Sequence, residues 1–153
     1  MGRYFVMSTR FNRCSASDFG LVFKDESTAI DPADGSIWIK RQLYDYGWGR
    51  ENGYYRSPLP DTDTLFELAL HGDDEEDMYG AAAIILDSYA DELLNRCEQI
   101  ASDPDKKRIF KRMVMLFDLV HPNNRCRIDG KAYTAVRSDY ERWVRIADAA
   151  KKL

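Results

Sequence analysis

The chain has 153 residues and a formal net charge of −4, a length that suits one domain able to bury about 68–70% of its unfolded surface. Hydrophobic residues make up 44% and charged residues 31%, which excludes a disordered chain, and the acidic balance argues against a dedicated nucleic-acid binder. The longest apolar run, Ala81 to Leu86, falls far short of the roughly 20 residues that span a membrane, and the first residues offer neither a secretory apolar core nor a myristoylation signal.

Along the chain the first 60 residues favour strand and turn. Tyr4-Phe5-Val6-Met7-Ser8-Thr9 and Leu21-Val22-Phe23 are rich in β-formers. Asp31-Pro32-Ala33-Asp34-Gly35 has the fixed φ and the positive-φ position that a tight turn demands, and Ile37-Trp38-Ile39 follows it as a strand. The stretch Tyr44 to Pro60 holds three glycines and two prolines and reads as a loop.

From Asp61 the apolar period becomes helical. Thr62 or Asp63 caps a short helix through Leu65, Phe66, Leu68, Ala69 and Leu70, closed by Gly72. Asp73 to Asp77 place five carboxylates where they favour a helix start. Met78, Ala82, Ile85, Tyr89, Leu93, Cys97 and Ile100 then form one apolar stripe, fitted equally by a single long helix and by two helices broken near Asp87-Ser88. Asp103 and Pro104 open a further helix with Ile109, Phe110, Met113, Val114, Phe117 and Val120 as its inner face, stopped by His121-Pro122. Ile128-Asp129-Gly130-Lys131 reads as a turn. Ser138 to Glu141 has capping-box spacing and opens the last helix, with Tyr140, Trp143, Val144 and Ala147 facing inward. The sum is a single α+β domain over 1–153, mainly α by residue count. Its small N-terminal antiparallel β region (1–60) packs on about four C-terminal α-helices (61–153).

Charge is unevenly spread. Residues 1–72 are net −2, residues 73–102 net −8 and residues 103–153 net +6. Such asymmetry follows secondary-structure elements.

Catalytic and metal chemistry finds little purchase. Cys14, Cys97 and Cys126 are far apart and form no CxxC pair, so reduced thiols in a cytoplasmic protein are expected. With only His71 and His121 beside them, no zinc-site spacing exists, and no metal or cofactor is expected. Ile30, Pro32 and Arg41 stand where a calcium loop around Gly35 would need oxygen donors. The run Gly47 to Gly53 fits neither phosphate-loop pattern. Cys126 and His121, or some pair among the 26 carboxylates, remain the enzyme alternative.

Two features carry a binding reading. Tyr44, Tyr46, Trp48, Tyr54 and Tyr55 fall within twelve residues, with Arg50 among them, and Tyr, Trp and Arg dominate binding hot spots. The same rings could instead fold back over the core. Asp87, Asp91 and Glu98 share roughly one helical face, able to steer a basic partner or to be neutralised by Lys106, Lys107, Arg108, Lys111 and Arg112.

The string Glu76-Asp77-Met78-Tyr79-Gly80-Ala81-Ala82-Ala83-Ile84-Ile85-Leu86-Asp87-Ser88-Tyr89-Ala90-Asp91-Glu92-Leu93-Leu94 resembles a helical pattern in immunity proteins of polymorphic and contact-dependent bacterial toxin systems. The resemblance is one of helix packing and carries no functional residue across. It implies a cytoplasmic, non-enzymatic protein that occludes a toxin, with a basic toxin domain as protein partner and neither nucleic acid nor membrane involved. The rival to the enzyme and immunity readings is an adaptor or homo-oligomer using the same aromatic surface.

Overall fold

The computed structural model describes residues 4–7, 20–45, 50–122 and 131–153. The fold is α+β and mainly α, with a five-stranded antiparallel sheet at the N-terminal end followed, among the described residues, by five α-helices. The strands are β1 (Phe5–Met7), β2 (Val22–Phe23), β3 (Thr28–Ile30), β4 (Ile37–Asp45) and β5 (Arg50–Arg56), in the spatial order β1-β5-β4-β3-β2. The helices are α1 (Thr62–His71), α2 (Glu75–Ser88), α3 (Ala90–Ala101), α4 (Lys107–Phe117) and α5 (Tyr133–Lys151). Two compact units make up the chain, Met1–Ile84 and Ile85–Leu153, with the division inside α2.

In the first unit, the Asp31–Gly35 turn forms as its residues dictate. Gly35 has φ +74° and donates to the Asp31 carbonyl, while the Asp31 and Asp34 carboxylates accept from Ala33 N and Ser36 N. Much of the stretch from Tyr44 to Pro60, expected as a loop, is strand: Tyr44 and Asp45 end β4, while residues 46–49 lie outside the described residues. Residues Arg50–Arg56 are the second strand from the edge, paired with β1 and β4. Gly53, which reads as a chain breaker, is instead demanded by packing. A Cβ there would stand 2.7 Å from the Leu43 side chain and 2.7 Å from the Val6 carbonyl oxygen, well inside van der Waals contact.

Directly paired residues share a sheet face. Val6, Leu21, Ala29, Trp38 and Tyr54 form a buried cluster on one face. The other face carries the row Phe5–Tyr55–Ile39–Thr28. Phe5 is fully buried against α2, where Gly80 lies so close that any Cβ would collide with the Phe5 ring. Asp77, one helical turn before Gly80, is buried and accepts the backbone N–H groups of Tyr4 (2.8 Å) and Phe5 (2.9 Å). Its neighbours Glu75 and Glu76 sit in the first turn of α2, as a helix dipole favours, and Asp74 accepts from Glu76 N. α1 is capped by Asp61, one residue ahead of the expected start, through a 2.8 Å bond from Thr64 N.

In the second unit the apolar stripe divides into two helices at Tyr89, whose φ −130° and ψ 36° bend the backbone while Tyr89 N→Ile85 O and Leu93 N→Tyr89 O are kept. Leu93, Leu94, Cys97 and Ile100 of α3 are buried, as are Phe110, Met113 and Phe117 of α4. Asp103 and Pro104 open a 3-10 turn that leads into α4. The last helix begins at Tyr133, five residues before the Ser138 expected from the capping-box spacing, and Ala132 at its start makes no side-chain cap. Trp143, Ile146, Ala147 and Ala150 are its buried residues, whereas Tyr140 is exposed. The turn expected at residues 128–130 lies outside the described residues.

Candidate functional site

The aromatic and acidic residues singled out from the sequence do not converge on one surface. Tyr46 and Trp48 lie outside the described residues, Tyr44 is near the end of β4, and Arg50 opens β5. Tyr54 and Tyr55 point to opposite faces of the sheet, as neighbours on a strand must. Tyr54 is only 8% exposed and belongs to the buried cluster, and burial raises its phenol pKa. Tyr55 is half-buried between Phe5 and Ile39. In the adjoining row the Arg56 guanidinium stacks over the Tyr4 ring, 4.6 Å from its centroid.

The acidic helix face is largely committed within its own unit. Asp91 accepts from Lys131 Nζ at 2.6 Å, and the same ammonium reaches Asp139 at 2.7 Å. Glu98 accepts from Arg142 Nε at 2.9 Å and also from its Nη2, which donates in turn to Asn95. For Asp91 and Glu98, neutralisation therefore comes from Lys131 and Arg142. Asp87, exposed in the last turn of α2, is separated from the other two by the Tyr89 bend. Both anchoring hydrogen bonds leave a mark on acidity. The Glu98 carboxyl is held below its ordinary range chiefly by its hydrogen bond from Arg142, and Lys131 is raised chiefly by Asp139 and then Asp91.

A surface that sequence reasoning missed lies at the other end of the sheet. Register places Val22 opposite Ile30 and Ile30 opposite Ile37, so the three share one face across β2, β3 and β4. Burial fades across this face. Phe5 is enclosed by α2, Tyr55, Ile39 and Thr28 are half-buried, and Val22 and Ile37 are 59% and 48% exposed. Phe23, on the opposite face, is also exposed and leans on the Tyr54 ring at 6.1 Å between centroids. The turn next to the Val22–Ile30–Ile37 row carries Asp31 and Asp34, and hydrogen bonds from Ser36 hold the Asp34 carboxyl below its usual range. An apolar centre with a polar rim is the common layout of a protein-binding patch. No local sequence signal could have found it, because each of the three aliphatic residues alone reads as ordinary core.

Among the described residues no group of three or more His, Cys, Asp and Glu side chains is placed to hold a metal ion. His121 Nδ1 lies 2.9 Å from Asp118 Oδ1, but both are exposed and Cys126 is outside the described residues. No described helix is long and apolar enough to cross a membrane. No protein-family model, curated protein or solved structure matches this chain.

Proposed function

We propose that this chain is a non-enzymatic protein-binding protein of the immunity type, which neutralises a bacterial toxin domain by covering it. The observation that carries the reading is the Val22–Ile30–Ile37 row, exposed at Val22 and Ile37 and half-buried at Ile30, beside the Asp31 and Asp34 carboxylates. Its unit holds 8 basic and 15 acidic residues, net −7, so long-range attraction favours a basic partner. The row replaces the acidic helix face as the docking element, because Asp91 and Glu98 are already bound to Lys131 and Arg142. Tyr54 belongs to the buried cluster on the other sheet face and does not anchor the partner itself. The compartment where chain and toxin meet is the cytoplasm.

Co-expression tests this reading. The product of the reading frame immediately upstream in the source genome is expected to be toxic when produced alone, and growth is expected to return when this chain is supplied with it. Continued growth arrest despite abundant chain contradicts the immunity reading.

A further inference from the structure

α4 has two unlike faces. Phe110, Met113 and Phe117 point inward and are buried. At about 100° per residue the outward side belongs to Arg108, Lys111 and Met115, with Lys107 on its flank. All four are exposed, Met115 at 60%, and so is Lys106 just before the helix. The helix sequence KRIFKRMVMLF contains no carboxylate. Four cations elsewhere in the same unit are held, Arg96 by Glu92, Lys131 by Asp91 and Asp139, Arg137 by Glu141 and Arg142 by Glu98. Among the described residues none forms an ion pair with Lys106, Lys107, Arg108 or Lys111.

This arrangement works against the helix that carries it. Lys107 and Arg108 occupy the first turn, where the backbone dipole is positive and carboxylates are favoured, as they are in α2. Lys107 and Lys111 repeat the conflict as like charges four residues apart. Asp103 and Asp105 of the preceding 3-10 turn offset the first conflict, and the like-charge pair is left on a surface open to an opposite charge outside the fold.

We propose that the outward face of α4 docks an acidic protein surface that also presents an apolar side chain. Lys107, Arg108 and Lys111 meet its carboxylates, and Met115 packs on its apolar group. The inference concerns the second unit and does not rest on the reading given above. Met115 is what selects protein over nucleic acid. A phosphate backbone gives a thioether nothing apolar to cover, and the face offers no aromatic ring on which a base could stack.

The probe is a fluorescein-labelled helical peptide of Glu, Leu and Ala, titrated with the full chain and followed by anisotropy at low and high salt. A labelled DNA duplex and phosphatidylserine-containing vesicles are measured beside it. The peptide is expected to bind more tightly than either, with affinity falling as salt rises. Lys107→Glu is expected to weaken peptide binding about tenfold and Met115→Gln about threefold. Lys107→Glu is also expected to raise the melting temperature, which separates lost docking from lost folding. No peptide binding at low salt overturns the proposal. So does affinity indifferent to Lys107→Glu, tighter binding of duplex or vesicles, or a lowered melting temperature in that variant.

Discussion

Asp77 has the clearest task of any charged side chain in the first unit. Its buried carboxylate satisfies the N–H groups of Tyr4 and Phe5 and so fixes β1 to the start of α2 across more than seventy residues of chain. Truncating it strands two donors whose desolvation has already been incurred. Asp77→Ala is predicted to destabilise the protein by about 2–4 kcal/mol in chemical denaturation, with Asp77→Asn recovering part of that through its amide oxygen. An alanine variant of unchanged stability would refute this role. Gly80 makes a second prediction, of opposite sign to the usual one. Alanine in a helix interior normally stabilises by about 1 kcal/mol relative to glycine. Here its Cβ collides with the Phe5 side chain, so Gly80→Ala is predicted to cost about 1–3 kcal/mol by overpacking. Neither role was legible in the sequence. Asp77 is the last of five consecutive carboxylates, and nothing local distinguishes the one that turns inward. Gly80 sits in a run of small residues where a glycine looks interchangeable with alanine.

Between elements, α5 is tied to α3 by Arg142 and to the segment before it by Lys131. Because the Glu98 carboxyl lies below its ordinary value of 4.5 in the folded chain, the pair adds stability above that pH and loses it as pH falls through the folded value. The groups are partly exposed, so solvent screening holds the contribution to on the order of 0.5–1 kcal/mol. Glu98→Gln should therefore flatten the fall in melting temperature on acidification from neutral pH; an acid limb as steep as that of the unchanged protein would count against the pair. Lys131 has the reverse sign. Its raised pKa contributes below its ordinary value of 10.5 and is lost only in stronger base. The helices themselves were largely legible, because a 3.6-residue apolar period survives in one dimension. The start of α5 was not. Tyr133, Thr134 and Ala135 are exposed and supply no apolar period, while Ser138 and Glu141 have the spacing of a cap in the middle of a helix. β5 was missed for a related reason. Gly53 serves close packing against Leu43 and Val6, and a glycine chosen for space looks identical to one chosen for a turn.

For the chain as a whole, the net −4 hides a partition. The unit through Ile84 is net −7, and the unit from Ile85, with 14 basic and 11 acidic residues, is net +3. The boundary inside α2 assigns the carboxylate run at 73–77 to the β-containing unit, which a division by secondary structure at residue 60 does not do. Each unit then presents its own kind of surface, an apolar row bordered by carboxylates in one and a cationic helix face in the other. The first depends on strand register, since Val22, Ile30 and Ile37 are brought together only by pairing across three strands. Its contribution to binding can be isolated with Val22→Thr/Ile37→Thr, which keeps the β-branched shape at exposed positions and should leave stability within about 0.5 kcal/mol. Desolvating two added hydroxyls at the centre of an interface costs about 1–2 kcal/mol each. The decisive measurement is the equilibrium affinity of this double variant for the toxin domain proposed as its partner, by calorimetry. A loss of about tenfold or more at unchanged melting temperature is predicted; affinity equal to that of the unchanged protein would contradict the assignment of this sheet face as the binding surface.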